Sequence, residues 1–220
     1  MELVAEYIDL NTLSIIDTPL MNIQPDWDTF HRSYERKISV FAGRGTGKSY
    51  NIALRAVRSE CDCFVFVHNE GLVRLMTEKI ADLSNPNDLA TCRSDRSRST
   101  ITYRDGHSID VVSLASLNLF PFRGTDFYEK EIMFDEAEYN GFSDFIIEHR
   151  RELERARRIV MVSSITRDLD TAAKRWFKFS DRKFYIDSDM FIPVEMQRYE
   201  LYPSEMRHMI EQLPPIDYII

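Results

Sequence analysis

The chain has 220 residues, 44% of them hydrophobic, enough for one substantial core with a modest appendage but not for two large domains. A formal net charge of −8 excludes a protein that coats nucleic acid over its whole surface, so any contact with DNA or RNA has to be local. Three cysteines with no C-x-x-C spacing point to neither a disulfide framework nor a zinc site, and a reducing compartment is expected.

The first residues, Met1-Glu2-Leu3-Val4-Ala5-Glu6, are acidic where a secretory signal is basic, and no run reaches the ~18 apolar residues of a membrane span. A soluble protein that stays where it is made is expected. Ile38-Ser39-Val40-Phe41 is a β-rich run stopping at a glycine-rich turn, and residues 49–58, with Ile52, Leu54, Ala56 and Val57, read as a helix. Cys63-Phe64-Val65-Phe66-Val67 is apolar throughout, as in a parallel strand buried on both faces. A helix over 71–83 follows. Asp105-Gly106 between Thr100-Ile101-Thr102-Tyr103 and Ser108-Ile109-Asp110-Val111-Val112 predicts a hairpin decorating the main sheet. Arg93, Arg96, Arg98 and Arg104 are expected in a solvated loop, the competing reading being a contact with a phosphate backbone.

Glu131-Ile132-Met133-Phe134-Asp135 is a third apolar run, ending in carboxylates, and Ile159-Val160-Met161-Val162 a fourth, with a helix predicted over 142–158 between them. Strands alternating with helices imply a parallel sheet with its loops gathered at the carboxyl edge. The tail, residues 183–220, is broken by Pro193, Pro203, Pro214 and Pro215 into short stretches.

Ala42-Gly43-Arg44-Gly45-Thr46-Gly47-Lys48-Ser49 fits the phosphate-loop pattern G-x-x-x-x-G-K-[ST], with alanine at the first glycine. Gly43, Gly45, Thr46 and Gly47 would turn backbone N–H groups around a β-phosphate, Lys48 would reach the β- and γ-phosphates, and Ser49 would coordinate Mg²⁺. Asp135-Glu136 ends an apolar strand, where Asp135 would hold the metal through its water shell and Glu136 would orient the attacking water. ATP hydrolysis is therefore expected. Ser163 and Ser164 end the next strand, as γ-phosphate sensors or as ordinary turn formers. Arg150, Arg151, Arg155, Arg157 and Arg158 alternate with Glu148, Glu152 and Glu154 as a salt-bridged face. Arg151 or Arg155 is the candidate cation for a neighbouring subunit's phosphate in an oligomer.

Together these residues resemble the ATPase (motor) domain of the large terminase subunit and related viral genome-packaging ATPases. The match runs over about residues 24–166 through Gly43 to Ser49, Asp105-Gly106-His107-Ser108-Ile109, Phe122-Arg123-Gly124, Ile132-Met133-Phe134-Asp135-Glu136-Ala137 and Ser163-Ser164. The resemblance implies an α/β P-loop NTPase of the additional-strand catalytic-glutamate, RecA-like type, with a mainly parallel central sheet flanked by helices and a β-hairpin insertion. It implies that Arg44 contacts phosphate or the catalytic carboxylate. It also implies that the segment around Gln24, with Trp27 and Phe30, holds adenine, and that Ser163-Ser164 is a coupling motif.

The implied partners are double-stranded DNA, a portal or procapsid, a small-terminase type protein and further copies in a ring, in the host cytoplasm. Residues 1–182 are expected to form the ATPase domain and 183–220 a β or irregular extension. Ending at Ile220, with only Asp187 and Asp189 as acids of note in its tail, the chain leaves no room for a nuclease domain. An isolated motor domain, or a packaging system without a nuclease, is expected. A helicase-like or recombinase-like ATPase and a nucleotide-binding adaptor without turnover are the competing readings.

Overall fold

The computed structural model describes residues 25–43, 45–119, 126–137, 142–164, 176, 178–186, 208 and 211–212. Helix α1 (Pro25–His31) leads into β1 (Lys37–Ala42), α2 (Lys48–Arg58) and β2 (Cys63–Val67). Helix α3 (Glu70–Leu83) precedes three strands, β3 (Leu89–Ser94), β4 (Arg98–Tyr103) and β5 (Ser108–Ser113). A 3₁₀ turn (Leu114–Leu119) follows, then β6 (Glu131–Phe134), the short helices α4 (Phe142–Glu148) and α5 (Arg150–Leu153), β7 (Arg158–Ser164) and β8 (Arg182–Ile186). No described helix is long and apolar enough to cross a membrane.

The eight strands form one sheet in the order β3-β4-β5-β2-β6-β7-β1-β8. From β5 to β8 every pairing is parallel, and only β3 with β4 and β4 with β5 are antiparallel. Successive side chains point to opposite faces, and both faces are covered. On one side Val40, Val65, Met133 and Val160 meet Trp27 and Phe30 of α1, Ile52 of α2 and Ile80 of α3. On the other, Phe64, Phe66, Phe134 and Met161 meet Phe142 and Phe145 of α4 and Leu153 of α5. Phe66 lies at its centre, 5.1 Å from the ring of Phe134 and 4.7 Å from that of Phe145.

Several elements differ from the sequence reading. Strand β5 is integral to the sheet, parallel to β2, so it does not merely decorate it. In the arginine-rich stretch Arg93 and Arg98 lie on the antiparallel strands β3 and β4, whereas Arg96 and Arg104 are exposed in the turns that follow each strand, as expected of a solvated loop. Asp95 forms the first of these turns, its Oδ1 accepting from the N–H groups of Ser97 at 2.8 Å and Arg98 at 2.7 Å. Arg98 reaches Asp110 at 3.0 Å, whereas Arg93 stays exposed. The helix predicted over 142–158 is two short helices, broken where His149 leaves helical geometry at φ −107°, ψ 22°. The expected division after residue 182 falls inside β8, which pairs with β1 along Arg182 to Ile186.

At the amino-terminal edge of the sheet Glu131, 1% exposed, receives Arg55 Nε at 2.6 Å and Arg158 Nη1 at 2.7 Å. Arg55 also donates to the carbonyls of Ser33, at 2.8 Å, and Phe30. Removing the carboxylate would leave two buried guanidinium charges against a neutral group. Glu131→Gln is therefore expected to lower the unfolding free energy by about 3–5 kcal/mol in a urea titration. A loss under about 1 kcal/mol would mean that water solvates both arginines there.

Candidate active site

Strand β1 carries the glycine loop from a position fixed on both sides, between β7 and β8, and Gly43 N–H still donates to the Ile186 carbonyl at 2.9 Å. Ala42, where the pattern has glycine, is fully buried and paired within β1, so its methyl sits in ordinary strand geometry. Gly45 and Gly47 have φ of 75° and 80°, a left-handed conformation that costs a residue with a Cβ about 1–2 kcal/mol. Gly47 is also the N-cap of α2 and provides no side-chain cap, which leaves the first amides of an 11-residue helix to the loop. Lys48 Nζ at 3.1 Å and Thr46 Oγ1 at 2.8 Å both donate to the Gly43 carbonyl, so the lysine folds back across the loop. Ser49 is the second residue of α2. Arg44 and Gln24 lie outside the described residues, as do Phe122-Arg123-Gly124 and Glu138.

Strand β6 ends two strands away on the same edge. Asp135 follows it, 4% exposed, with its N–H on the Phe66 carbonyl at 2.9 Å. Glu136 has φ 57°, a left-handed conformation rare outside glycine, and Ala137 N–H then donates to the Val162 carbonyl at 3.1 Å. Strain of this kind, about 1–3 kcal/mol, persists where surrounding structure over-determines the backbone. Between these two loops stands β7, with Ser163 opposite Phe41 and Ser164 opposite Ala42. At about 4.8 Å per strand spacing, β1 and β6 are roughly 10 Å apart, with the two serines between. Ser163 is fully buried, its Oγ on the Ser164 carbonyl at 3.0 Å.

Trp27 and Phe30, expected beside an adenine, lie in the core. Both are fully buried, because α1 packs its aromatic face onto the sheet. What the sequence did not reveal is that α1 holds the loop. Trp27 Nε1 donates to the Thr46 carbonyl at 2.9 Å. Asn51 Nδ2 donates to the Gly47 carbonyl at 3.0 Å, and His31 Nε2 lies 2.8 Å from Asn51 Oδ1. The available signal was Trp27 itself, since a buried indole N–H needs an acceptor.

Arg151 on α5 and Arg155 after it precede β7, whereas the glycine loop follows β1, so parallel pairing sets them at opposite edges of the sheet. Seven residues of β7 at ~3.3 Å each separate those edges by roughly 20 Å. Arg155 reaches Asp126 at 3.5 Å and lies over the Tyr128 ring, and Arg151 is exposed. Neither approaches the glycine loop of the same chain.

No protein-family model and no curated protein matches the sequence. Among solved structures the chain is similar to the large terminase ATPase domain of Thermus phage P74-26, with a TM-score of 0.56, 15% identity, and coverage of 82% of this chain and 94% of that one. An arginine-to-alanine mutant of the same domain gives a TM-score of 0.53 at 13% identity, over 77% and 83% of the two chains. At this identity the likeness is one of fold. The chain has the mixed α/β architecture, with a mostly parallel sheet, of a phage large-terminase ATPase domain.

Burial lowers the His31 pKa from 6.5 to about 4, helped by Arg58 and Arg55 and opposed by the Asn51 contact and by Asp28. Unfolded chain therefore binds a proton below pH 6.5 that the folded chain refuses until about pH 4, so the stabilising contribution is complete above 6.5 and lost on acidification through that window. Asp62 and Asp95, held below the ordinary carboxylate value of 3.8, lose theirs only at lower pH. Wild type is expected to lose roughly 1–2 kcal/mol more than His31→Gln between pH 7 and pH 5 in denaturant titrations. Parallel pH profiles for the two proteins would show that the imidazole stays solvated.

Proposed function

We propose that this chain is a Mg²⁺-dependent ATPase of the genome-packaging motor kind, using ATP hydrolysis to drive double-stranded DNA into a viral procapsid. The observation that carries the reading is the shared edge: a left-handed glycine loop after β1 and an Asp-Glu pair after β6, with β7 inserted between those strands. We read the strand inserted between the loop strand and the acidic strand as the additional strand of a catalytic-glutamate, RecA-like ATPase, a reading supported by the mostly parallel sheet and the terminase-like fold.

In this reading Gly43, Gly45, Thr46 and Gly47 present amides to the β-phosphate, and Lys48 exchanges its contact with the Gly43 carbonyl for the β- and γ-phosphates. Ser49, at the start of α2, and Asp135, at the end of β6, are hard oxygen donors of the type Mg²⁺ prefers and would hold it. The ion supplies charge neutralisation at the phosphates. Glu136 takes the proton of the attacking water or orients it. Arg44 contacts phosphate or the catalytic carboxylate, Gln24 meets adenine, and Ser163 and Ser164 couple the state of the site to movement. The working form is a ring of copies on a portal, with a small-terminase type partner, in the host cytoplasm.

Lys48→Ala is expected to abolish hydrolysis and greatly weaken nucleotide binding while leaving unfolding midpoints near wild type. Glu136→Gln should bind Mg-ATP as wild type does and lose turnover by about 10²–10⁴-fold, the usual effect of removing a general base. Full hydrolysis by the Lys48 variant would remove the site assignment, and a wild-type protein that binds ATP without turnover would be an adaptor.

For assembly, Arg151 or Arg155 of one subunit would complete its neighbour's site, an effect of about 10³–10⁵ in rate where such arginines act. Mixing Lys48→Ala subunits with subunits lacking both arginines is expected to raise hydrolysis above the sum of the separate proteins. Assembly of the mixture with no such rise would exclude both arginines from a trans role.

A further inference from the structure

We infer that helix α1 is a latch on the phosphate loop, with Trp27 and, through Asn51, His31 as positioning residues that aim the loop's amides. The inference rests on the nucleotide-site reading above and deepens it, since the loop's own side-chain contacts, from Thr46 and Lys48, hold the Gly43 carbonyl and not those of Thr46 and Gly47. The reason lies in peptide geometry. In a planar trans peptide the C=O and the N–H of the next residue point in opposite directions. Fixing the Thr46 carbonyl therefore fixes the Gly47 N–H, and fixing the Gly47 carbonyl fixes the Lys48 N–H.

Both carbonyls are fixed from the core side. The Trp27 indole, fully buried, donates to Thr46 O at 2.9 Å, so the Gly47 N–H is turned away from the core. Gly47 O accepts from the backbone N–H and from the side-chain Nδ2 of Asn51, both at 3.0 Å, so the Lys48 N–H points back out of the helix start. Asn51 is 1% exposed, and His31 Nε2 at 2.8 Å from its Oδ1 keeps the amide from rotating its oxygen toward the Gly47 carbonyl. Glycine at 45 and 47 makes this backbone accessible, and it also makes it loose, because glycine loses more conformational freedom on ordering than any other residue. Two glycines of the loop thus need an external hold if the amides are to meet a phosphate without a large ordering cost.

The helix is well placed for that role. Its far end is itself secured, since Arg55, paired with Glu131, donates to the Phe30 and Ser33 carbonyls and its guanidinium lies 4.8 Å from the Phe30 ring centre. Trp27 meets Phe30 edge-to-face at 5.3 Å, and Phe30 meets Phe184 of β8 at 6.1 Å, so the indole is wedged between the sheet and the loop.

Trp27→Phe removes the N–H while keeping an aromatic ring, and Ile80→Ala, a buried position on α3, serves as a control for lost core packing. Two readouts are taken on the full chain: ¹⁵N order parameters of residues 45–48 without ligand, and the Kd for Mg-ATP. In Trp27→Phe the Gly47 and Lys48 amides should fall from rigid values near ~0.85 to below ~0.6, and Kd should weaken roughly five- to tenfold, the equivalent of one hydrogen bond. Ile80→Ala should lower the unfolding midpoint while leaving both readouts at wild-type values. His31→Gln, which keeps an N–H donor for Asn51 Oδ1, should behave as wild type, and His31→Ala should loosen Lys48. Order parameters in Trp27→Phe equal to those of wild type, or matched by Ile80→Ala, overturn the latch. If wild type binds no nucleotide at all, the ATPase reading falls, and the ligand-free order parameters still decide whether α1 holds the loop.

Discussion

A single buried carboxylate ties together the elements that deliver the site. Glu131 opens β6, the strand whose other end carries Asp135 and Glu136, and it is gripped by Arg55 from the loop helix α2 and Arg158 from the serine strand β7. Arg55 extends the same hold to the end of α1 through the Phe30 and Ser33 carbonyls. Four elements thus share one electrostatic anchor at the edge opposite the glycine loop and the Asp135-Glu136 pair. Replacing such a cluster with apolar residues can be neutral or even stabilising in other proteins, so its worth here is better sought in geometry than in net energy. Hydrogen bonds to a charged group are directional, and two of them on one carboxylate leave the loop helix and the acidic strand little freedom to slide.

The consequence reaches the carboxyl edge because strands are stiff and their registers are shared. Glu131 pairs with Arg158 and Phe134 with Met161, while Phe41 and Ala42 face Ser163 and Ser164. Any shift of β6 relative to β1 would have to pass through β7 and would carry the serines with it. Movement between the glycine loop and the Asp135-Glu136 turn would therefore require either a change in the turn at Glu136 or a break in the ladder. The left-handed Glu136 is the softer of the two, since its strain is local and the ladder is cooperative.

How far the sequence could be read follows the range of the forces involved. Strand β2 was legible from Cys63 to Val67 because burial on both faces writes an uninterrupted apolar run, and the glycine loop and Asp135-Glu136 were legible because each is a local pattern. Strand β3 was not, since Leu89 to Ser94 is almost wholly exposed and shows no alternation, its existence depending on the Asp95 turn and on β4. Apolar spacing continued across the break at His149, so two helices read as one, and β7 begins with Arg158, whose burial makes sense only once Glu131 is in place. The hold of α1 on the loop spans 19 residues from Trp27 to Thr46 and 20 from His31 to Asn51, and no pattern within a helix or strand encodes contacts of that separation.

The same sheet geometry constrains any assembly in which Arg151 or Arg155 acts on a phosphate. Both arginines enter β7 from the amino-terminal edge, and the glycine loop leaves β1 at the carboxyl edge, with a packed, parallel sheet between. Hinging a single subunit cannot bring them together without tearing β1 from β7. A second subunit has to dock its amino-terminal edge against the first one's loop edge, which uses two different surfaces of the same molecule. Such a contact is heterologous, and when its rotation closes it generates a ring and not a twofold dimer. Arg155 is held to its own Asp126 and lies over Tyr128, an exposed aromatic, so docking would compete with that pair for the guanidinium. An exposed pair of this kind is worth little, which makes Arg155 easy to redirect, whereas the buried Arg158 beside it, committed to Glu131, is fixed in place.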